Sequence, residues 1–244
     1  MQPFGPDPPS CFVSTHLDDV ALSCGHWLAA NPGASVMTVF AGAPRMQRCD
    51  GWNYVTTGEA SAHQAIQTRR FEDVAALAAL GASPYWIELW DSQYVEGPAQ
   101  DGELVQASIR DALESIRPRS VIVPIGIHHP DHLAVADACF ELAGASQLSW
   151  YGYLDMPYAR SYPDEVQPRL AALSARATID LVQCEPFRAT TDVKDRVMRL
   201  YHSQNDHVRG DHPGFERSLT DPESFWAIER PLRRRPRPSP GAQR

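Results

Sequence analysis

A chain of 244 residues can bury a full-sized core, as one large α/β unit or two small ones. Its hydrophobic fraction of 43% and charged fraction of 21% are ordinary for a globular protein and exclude disorder of the whole. Six of the 22 basic residues and no acid fall in residues 230–244, so residues 1–229 carry 16 basic against 30 acidic groups, a balance that argues against a nucleic-acid binder.

The chain begins with Pro3, Pro6, Pro8 and Pro9 and lacks the basic and apolar regions of a signal peptide. No later run reaches the roughly 18 apolar residues of a membrane span. Cys11, Cys24, Cys49, Cys139 and Cys184 are scattered without a C-x-x-C spacing, which suits unpaired thiols in a reducing compartment. The expectation is a cytoplasmic protein with neither a membrane nor a nucleic-acid partner.

A short apolar run at 11–13 predicts a strand, and Val20, Cys24, Trp27 and Leu28 predict a helix that Asn31-Pro32-Gly33 ends. Between them, Ser14 to Asp19 crowds His16, Asp18 and Asp19 into a sharp turn. Either carboxylate could simply cap the helix. A buried strand follows at 36–41. Residues 42–58 lack periodicity but hold Arg45, Arg48, Trp52, Asn53 and Tyr54, groups suited either to gripping a polar ligand or to a surface excursion. A long helix over 59–80, a strand at 85–89, a polar loop from Asp91, a helix over 105–116 and a strand at 120–125 come next.

That strand delivers the chain to Gly126-Ile127-His128-His129-Pro130-Asp131-His132, and a helix resumes at 133–143. Beyond Trp150 the pattern is less regular. Residues 150–154 and 177–183 read as strands and Val193, Val197, Leu200 and Tyr201 as a helix face, while Pro157, Pro163 and Pro168 interrupt the region between. No linker divides the chain, so one domain over 1–229 with a disordered Arg/Pro-rich tail over 230–244 is expected.

Strands alternating with helices imply an α/β fold, a mostly parallel sheet with helices on both faces. In such sheets ligands bind beyond the carboxyl ends of the strands. Both histidine-bearing turns follow strands, so one rule brings them to the same rim. His16, Asp19 and His132 can then supply the three ligands of a catalytic zinc, or of iron, cobalt or manganese. Asp18 is left beside the ion as a base for water, and Asp131 is free to fix an imidazole. His129 is available to an oxyanion or a leaving amine. His128 should point away from His129 in an extended segment and is set aside.

His16-Leu17-Asp18-Asp19 with His129-Pro130-Asp131-His132 resembles the paired motifs of the PIG-L/LmbE-like zinc-dependent N-deacetylases. Arg69-Arg70-Phe71-Glu72, Asp155-Met156-Pro157-Tyr158, and Lys194 with Tyr201-His202-Ser203-Gln204 are similar to further stretches of that family. The resemblance covers about residues 10–230. It implies a Rossmann-like sheet and hydrolysis of the acetamide of an N-acetylglucosamine-type group on a small glycoside, sugar conjugate or natural-product intermediate. It also implies zinc on His16, Asp19 and His132, Asp18 as general base, and His129 acting with Asp131 behind it. Arg45, Arg48, Tyr54, Arg69, Asp91 and Tyr158 are candidate substrate contacts for a small amino-sugar molecule. Self-association as a homo-oligomer is left open. Leu17, Val20 and Ile127 stand where many or some members have Pro, Glu and Tyr; Tyr54 or Tyr158 could replace that Tyr. Competing readings are an amidase or phosphoesterase with the same metal, although phosphate chemistry usually wants basic clamps and Lys194 is the chain's one lysine, and a sugar-binding relative without turnover.

Overall fold

Five consecutive buried residues, Ser10–Ser14, form β1 near the middle of a seven-stranded sheet. The computed structural model describes residues 1–45, 52–95, 101–177, 179–189 and 191–230, the Asn53 side chain apart. In chain order the elements are β1, α1 (Asp19–Ala30), β2 (Ser35–Thr38), α2 (Trp52–Thr57), α3 (Ala62–Ala79), β3 (Ser83–Trp86), α4 (Gly102–Ile116), β4 (Ser120–Pro124), α5 (Pro130–Ala145) and β5 (Ser149–Tyr153). Then come α6 (Tyr158–Ser161), α7 (Pro163–Ala177), β6 (Asp180–Gln183), α8 (Val193–Met198), α9 (Asn205–Asp211), α10 (Phe215–Thr220) and β7 (Phe225–Glu229).

The strand order is β3-β2-β1-β4-β5-β7-β6. Neighbours from β3 to β5 are parallel, and β7 runs antiparallel to both β5 and β6. The chain leaves β1 toward β2 and β3 on one side, then returns to place β4 on the other. β1 and β4 therefore flank the topological switch point, where their carboxyl ends splay apart and open a crevice. Cys11, Phe12, Val13, Val121, Ile122 and Val123 are fully buried, as expected for parallel strands covered on both faces. α1 packs with α3, α8 and α10, while α4 packs on α5 and α5 on α7, two groups of helices flanking the sheet.

The C-terminal part is more regular than the sequence reading. Pro163 sits at the first position of α7, where its missing N–H costs nothing, and Pro168 is carried inside that helix. β7 went unread, although Phe225, Trp226 and Ile228 are strong strand formers. Its insertion between β5 and β6 joins strands from residues 10 to 229 in one sheet. Lys194 is buried and lies 2.9 Å from Glu223 Oε1. Glu223 also accepts from the backbone N–H groups of His26 and Trp27, which ties this part to α1. The four described cysteines, Cys11, Cys24, Cys139 and Cys184, are unpaired thiols; Arg48, Cys49 and the tail from residue 231 lie outside the described residues.

Candidate active site

The first turn is built by short bonds within itself. Ser14 Oγ donates to the His16 carbonyl at 2.7 Å and accepts from Val20 N at 3.2 Å, which bends the chain from β1 into α1. Asp19 Oδ2 accepts from His16 N at 2.7 Å. Asp18 occupies the position before α1, yet its carboxylate makes no capping bond, so the capping reading fails for it. Its backbone φ of +148° lies in a region costly for any residue with a Cβ.

The second turn needs Gly126. Its φ is +76°, and a Cβ there would stand 2.6 Å from the His132 carbonyl oxygen and 2.7 Å from Ala136 Cβ. Arg169 of α7 donates to the carbonyls of Ile125 and Leu133, one at each end of the turn. His129, rather than Asp131, caps α5: its Nδ1 accepts from Asp131 N at 3.2 Å.

The two turns meet on Asp19. Its Oδ2 is 3.5 Å from His16 Nδ1 and 3.2 Å from His132 Nε2, and ligand atoms of these three residues can converge on one point. Two atoms each about 2.0–2.1 Å from a tetrahedral zinc stand roughly 3.4 Å apart, so this donor set fits the ion. Among the described residues, His132 Nε2 is buried with no well-formed hydrogen bond, Asp19 Oδ2 lying 3.2 Å away, an arrangement that a cation between the two would satisfy. The far nitrogens face carboxylates: His16 Nε2 is 3.1 Å from Asp131 Oδ2, and His132 Nδ1 is 2.9 Å from Asp155 Oδ1. Carboxylate support of this kind fixes the tautomer of a ligating imidazole. A second grouping, His16 with His129 and Asp131, also satisfies the spacing, but there Asp131 already holds His16 Nε2.

The charges are consistent with a cation site. Burial pushes the imidazoles down, yet Asp131 and Asp19 hold His16 well above the ordinary value, and Asp19 with Asp155 raises His132 to about 9. Burial favours a protonated Asp19, but the His132 and His16 rings hold it far below the carboxylate range. Asp131 is held down to about 2 by its bond to His16 against its own burial. Asp18 is raised to about 7 by burial and by Asp19 beside it, partly offset by Arg69. His129 is pushed down to about 4 by burial and by the neighbouring His16 and His132, so it is neutral at pH 7.

A cavity of about 510 Å³ opens over this centre. Of the residues singled out in the sequence, His16, Asp18, Asp19, Arg69, Asp91, His129 and Tyr158 line it. His132 and Asp131 are wholly buried beneath. Asp131 does not stand behind the His129 ring; its carboxylate serves His16 and accepts from Ser92 N at 3.2 Å, and only its backbone touches His129. Arg45 is exposed, Tyr54 is 50% exposed, and neither lines the cavity, because α2 turns Trp52 inward instead. His128 also corrects the sequence reading: at φ +63° the segment is not extended, and its ring joins the wall, stacked on Tyr162 at 3.4 Å.

The family model described as PIG-L, GlcNAc-PI de-N-acetylase, matches residues 11–143, which span both turns. The chain belongs to the PIG-L family. It is an N-deacetylase-type hydrolase by that membership and by its deacetylase relatives. Among these, 2'-N-acetylparomamine deacetylase of Streptomyces fradiae is 29% identical over 206 residues, 80% of this chain and 72% of that protein. A deacetylase of teicoplanin biosynthesis, solved as a bog complex, superposes with a TM-score of 0.72 at 23% identity, over 91% of this chain and 98% of the other. The A40926 pseudoaglycone deacetylase Dbv21 also gives 0.72 at 23%, over 92% and 98%. Both share the fold.

Within this PIG-L site, the sequence offered Trp52 only within a loop suited to gripping a polar ligand, and gave no role to Asp155, Gln204 or Tyr162. Asp155 had a usable signal, since it follows β5 as His16 follows β1 and so belongs to the same rim. Gln204 stood in a stretch similar to the family, but its contact was out of reach of any local pattern: Nε2 of its buried side chain reaches the Leu17 carbonyl at 2.9 Å across 187 residues of chain. No helix of the described residues is long and apolar enough to cross a membrane.

Proposed function

We propose that the chain is a zinc-dependent hydrolase that removes the N-acetyl group from an N-acetylglucosamine-type residue of a small glycoside or natural-product sugar conjugate, releasing acetate. The observation that carries this reading is the convergence of His16 Nδ1, Asp19 Oδ2 and His132 Nε2 at 3.2–3.5 Å, beside an Asp18 carboxylate that makes no hydrogen bond among the described residues. The deacetylases of paromamine and of teicoplanin-type conjugates support the substrate class. Zinc, once bound by those three residues, would polarise the acetamide carbonyl and lower the pKa of attacking water.

Asp18 takes a proton from the attacking water as the C–O bond forms, then returns it to the amide nitrogen as the C–N bond breaks. His129 keeps Nδ1 as an acceptor of the Asp131 N–H, so Nε2 carries the ring's hydrogen and donates to the developing oxyanion. Ile127 is packed in the core and cannot help, whereas the Tyr158 hydroxyl lines the cavity without a hydrogen-bond partner among the described residues and supplies a second donor. Asp131 and Asp155 position His16 and His132. Trp52 and Tyr162 offer apolar ring faces to a sugar, and Arg69 and Asp91 offer polar contacts to its hydroxyls.

The test is acetate release from an aryl N-acetylglucosaminide and from N-acetylated aminoglycosides by zinc-loaded protein. Asp18→Asn should retain zinc and lose at least about 100-fold in kcat, while His132→Ala should lose the metal. A variant Asp18→Asn of full activity would remove the assignment, and one that binds sugar without turnover in the wild type would favour a binding protein.

A further inference from the structure

We infer that Gln204 is the positioning residue of the base: it grips the peptide that sets Asp18, and so couples the C-terminal cavity wall to the catalytic turn. The inference rests on the reading of Asp18 as base. Asp18 is held at φ +148°, and a strained residue keeps such a conformation only when its surroundings over-determine it. The Leu17–Asp18 peptide is the bond in question. Its N–H donates to the His16 carbonyl at 3.1 Å, and its carbonyl accepts from Gln204 Nε2 at 2.9 Å. Gln204 thus supplies the side-chain contact to that peptide, and Leu17 is itself 1% exposed and packed in place.

Gln204 is well fixed for the task. It is 1% exposed, and the residues around it are stapled to α3: Ser203 N and Oγ both donate to the Glu72 carboxylate at 2.8 and 2.7 Å, and the Tyr201 hydroxyl donates to Asp73 Oδ1 at 2.9 Å. Gln204 borders the cavity and directly precedes α9, whose Val208 and Asp211 form part of the cavity wall. Its Oε1 is buried with no hydrogen-bond partner among the described residues. Arg69, one turn before Glu72 on α3, lies close enough to Asp18 to lower its proton affinity. One rigid block therefore carries the sugar-facing wall and the support of the base, whereas the His16 and His132 imidazoles are anchored through Asp131 and Asp155 and Asp19 through His16 N.

This division makes a specific expectation. Gln204→Met keeps the length and the packing but removes the bond to Leu17. Because a misplacement of about 1 Å can cost about 100-fold in rate, kcat for the aryl N-acetylglucosaminide should fall by about 10- to 100-fold. KM and zinc affinity should stay within about threefold, since neither depends on the bond. In the Asp18→Asn background the same change should cost nothing further, because the residue it positions is already disabled. An unchanged kcat in Gln204→Met would overturn the inference. So would a loss of zinc affinity in step with kcat, which would make Gln204 a general support of the turn, or a full additive loss in the double variant. Asp18→Asn alone reads on the assignment of the base: if it keeps wild-type kcat, that assignment falls and this inference with it.

Discussion

Asp155→Asn tests whether the outer carboxylates of the site hold its metal. Asp155 is buried and makes two bonds that an amide cannot both reproduce: Oδ2 accepts from Gly126 N at 2.9 Å, and Oδ1 meets His132 Nδ1 at 2.9 Å. An asparagine oxygen turned to Gly126 leaves its NH2 facing His132 Nδ1, which must then be an acceptor, and the ring's hydrogen moves to Nε2, the atom a metal needs. Turned the other way, the NH2 faces the Gly126 N–H, donor against donor, inside the core. Either arrangement forfeits a buried charge-assisted bond worth about 1.5–3 kcal/mol, and loss of such outer partners typically weakens metal binding about 10- to 100-fold. Competition between the protein and a chromophoric zinc chelator measures this directly, with circular dichroism confirming that the variant is folded. A folded Asp155→Asn variant with wild-type zinc affinity would refute the reasoning, because the tautomer of His132 would then be set by something else.

The remaining predictions are independent of that one. Tyr158→Phe should lower kcat by about 100-fold, as expected for removal of one oxyanion donor, with zinc affinity unchanged, while Tyr54→Phe, outside the cavity, should behave as wild type; equal effects would remove Tyr158 from the mechanism. Asp73 is buried and raised to about 6 from an ordinary 3.8 by that burial, opposed by its bonds to Trp86 and Tyr201. Its folded pKa lies above the unfolded one, so its contribution is full below pH 3.8 and is lost as pH rises through 6, about 3 kcal/mol in all. Urea unfolding should therefore show Asp73→Asn gaining on the wild type between pH 4 and 7, and the opposite slope would contradict the burial argument.

What the sequence made legible was the part governed by short-range rules. The β1 and β4 runs are apolar at their centres, β4 being β-branched as well, each ends in a polar turn, and the switch-point rule places both turns on one rim, so His16, Asp19 and His132 could be grouped without contacts. What it hid depends on long-range placement. That α2 turns Trp52 inward and Tyr54 outward follows from packing on α3, not from any local pattern. The His128 ring reaches the wall because its backbone is left-handed, a conformation uncommon for a residue with a Cβ though less so for histidine than for most, and one that no local pattern announced. The residues alone left open which imidazole Asp131 would fix and the family resemblance put it behind His129, but the start of α5 brings its carboxylate to His16.

The neutral state of His129 decides how the proton travels. A ring held at about 4, with Nδ1 committed to the Asp131 N–H, has one hydrogen to donate and no second one to give up. It can stabilise negative charge on the carbonyl oxygen but is a poor acid for a leaving amine. Asp18 is the opposite case. Burial and Asp19 raise it to about 7 against the pull of Arg69, which suits the proton shuttle proposed for it. Asp19, one residue on, is held far below the carboxylate range by the two imidazoles it faces, which suits the ligand role proposed for it. The two adjacent carboxylates proposed for different work differ in their partners: Asp19 accepts from His16 N and faces the His16 and His132 rings, while Asp18, at its strained φ, makes no side-chain hydrogen bond among the described residues.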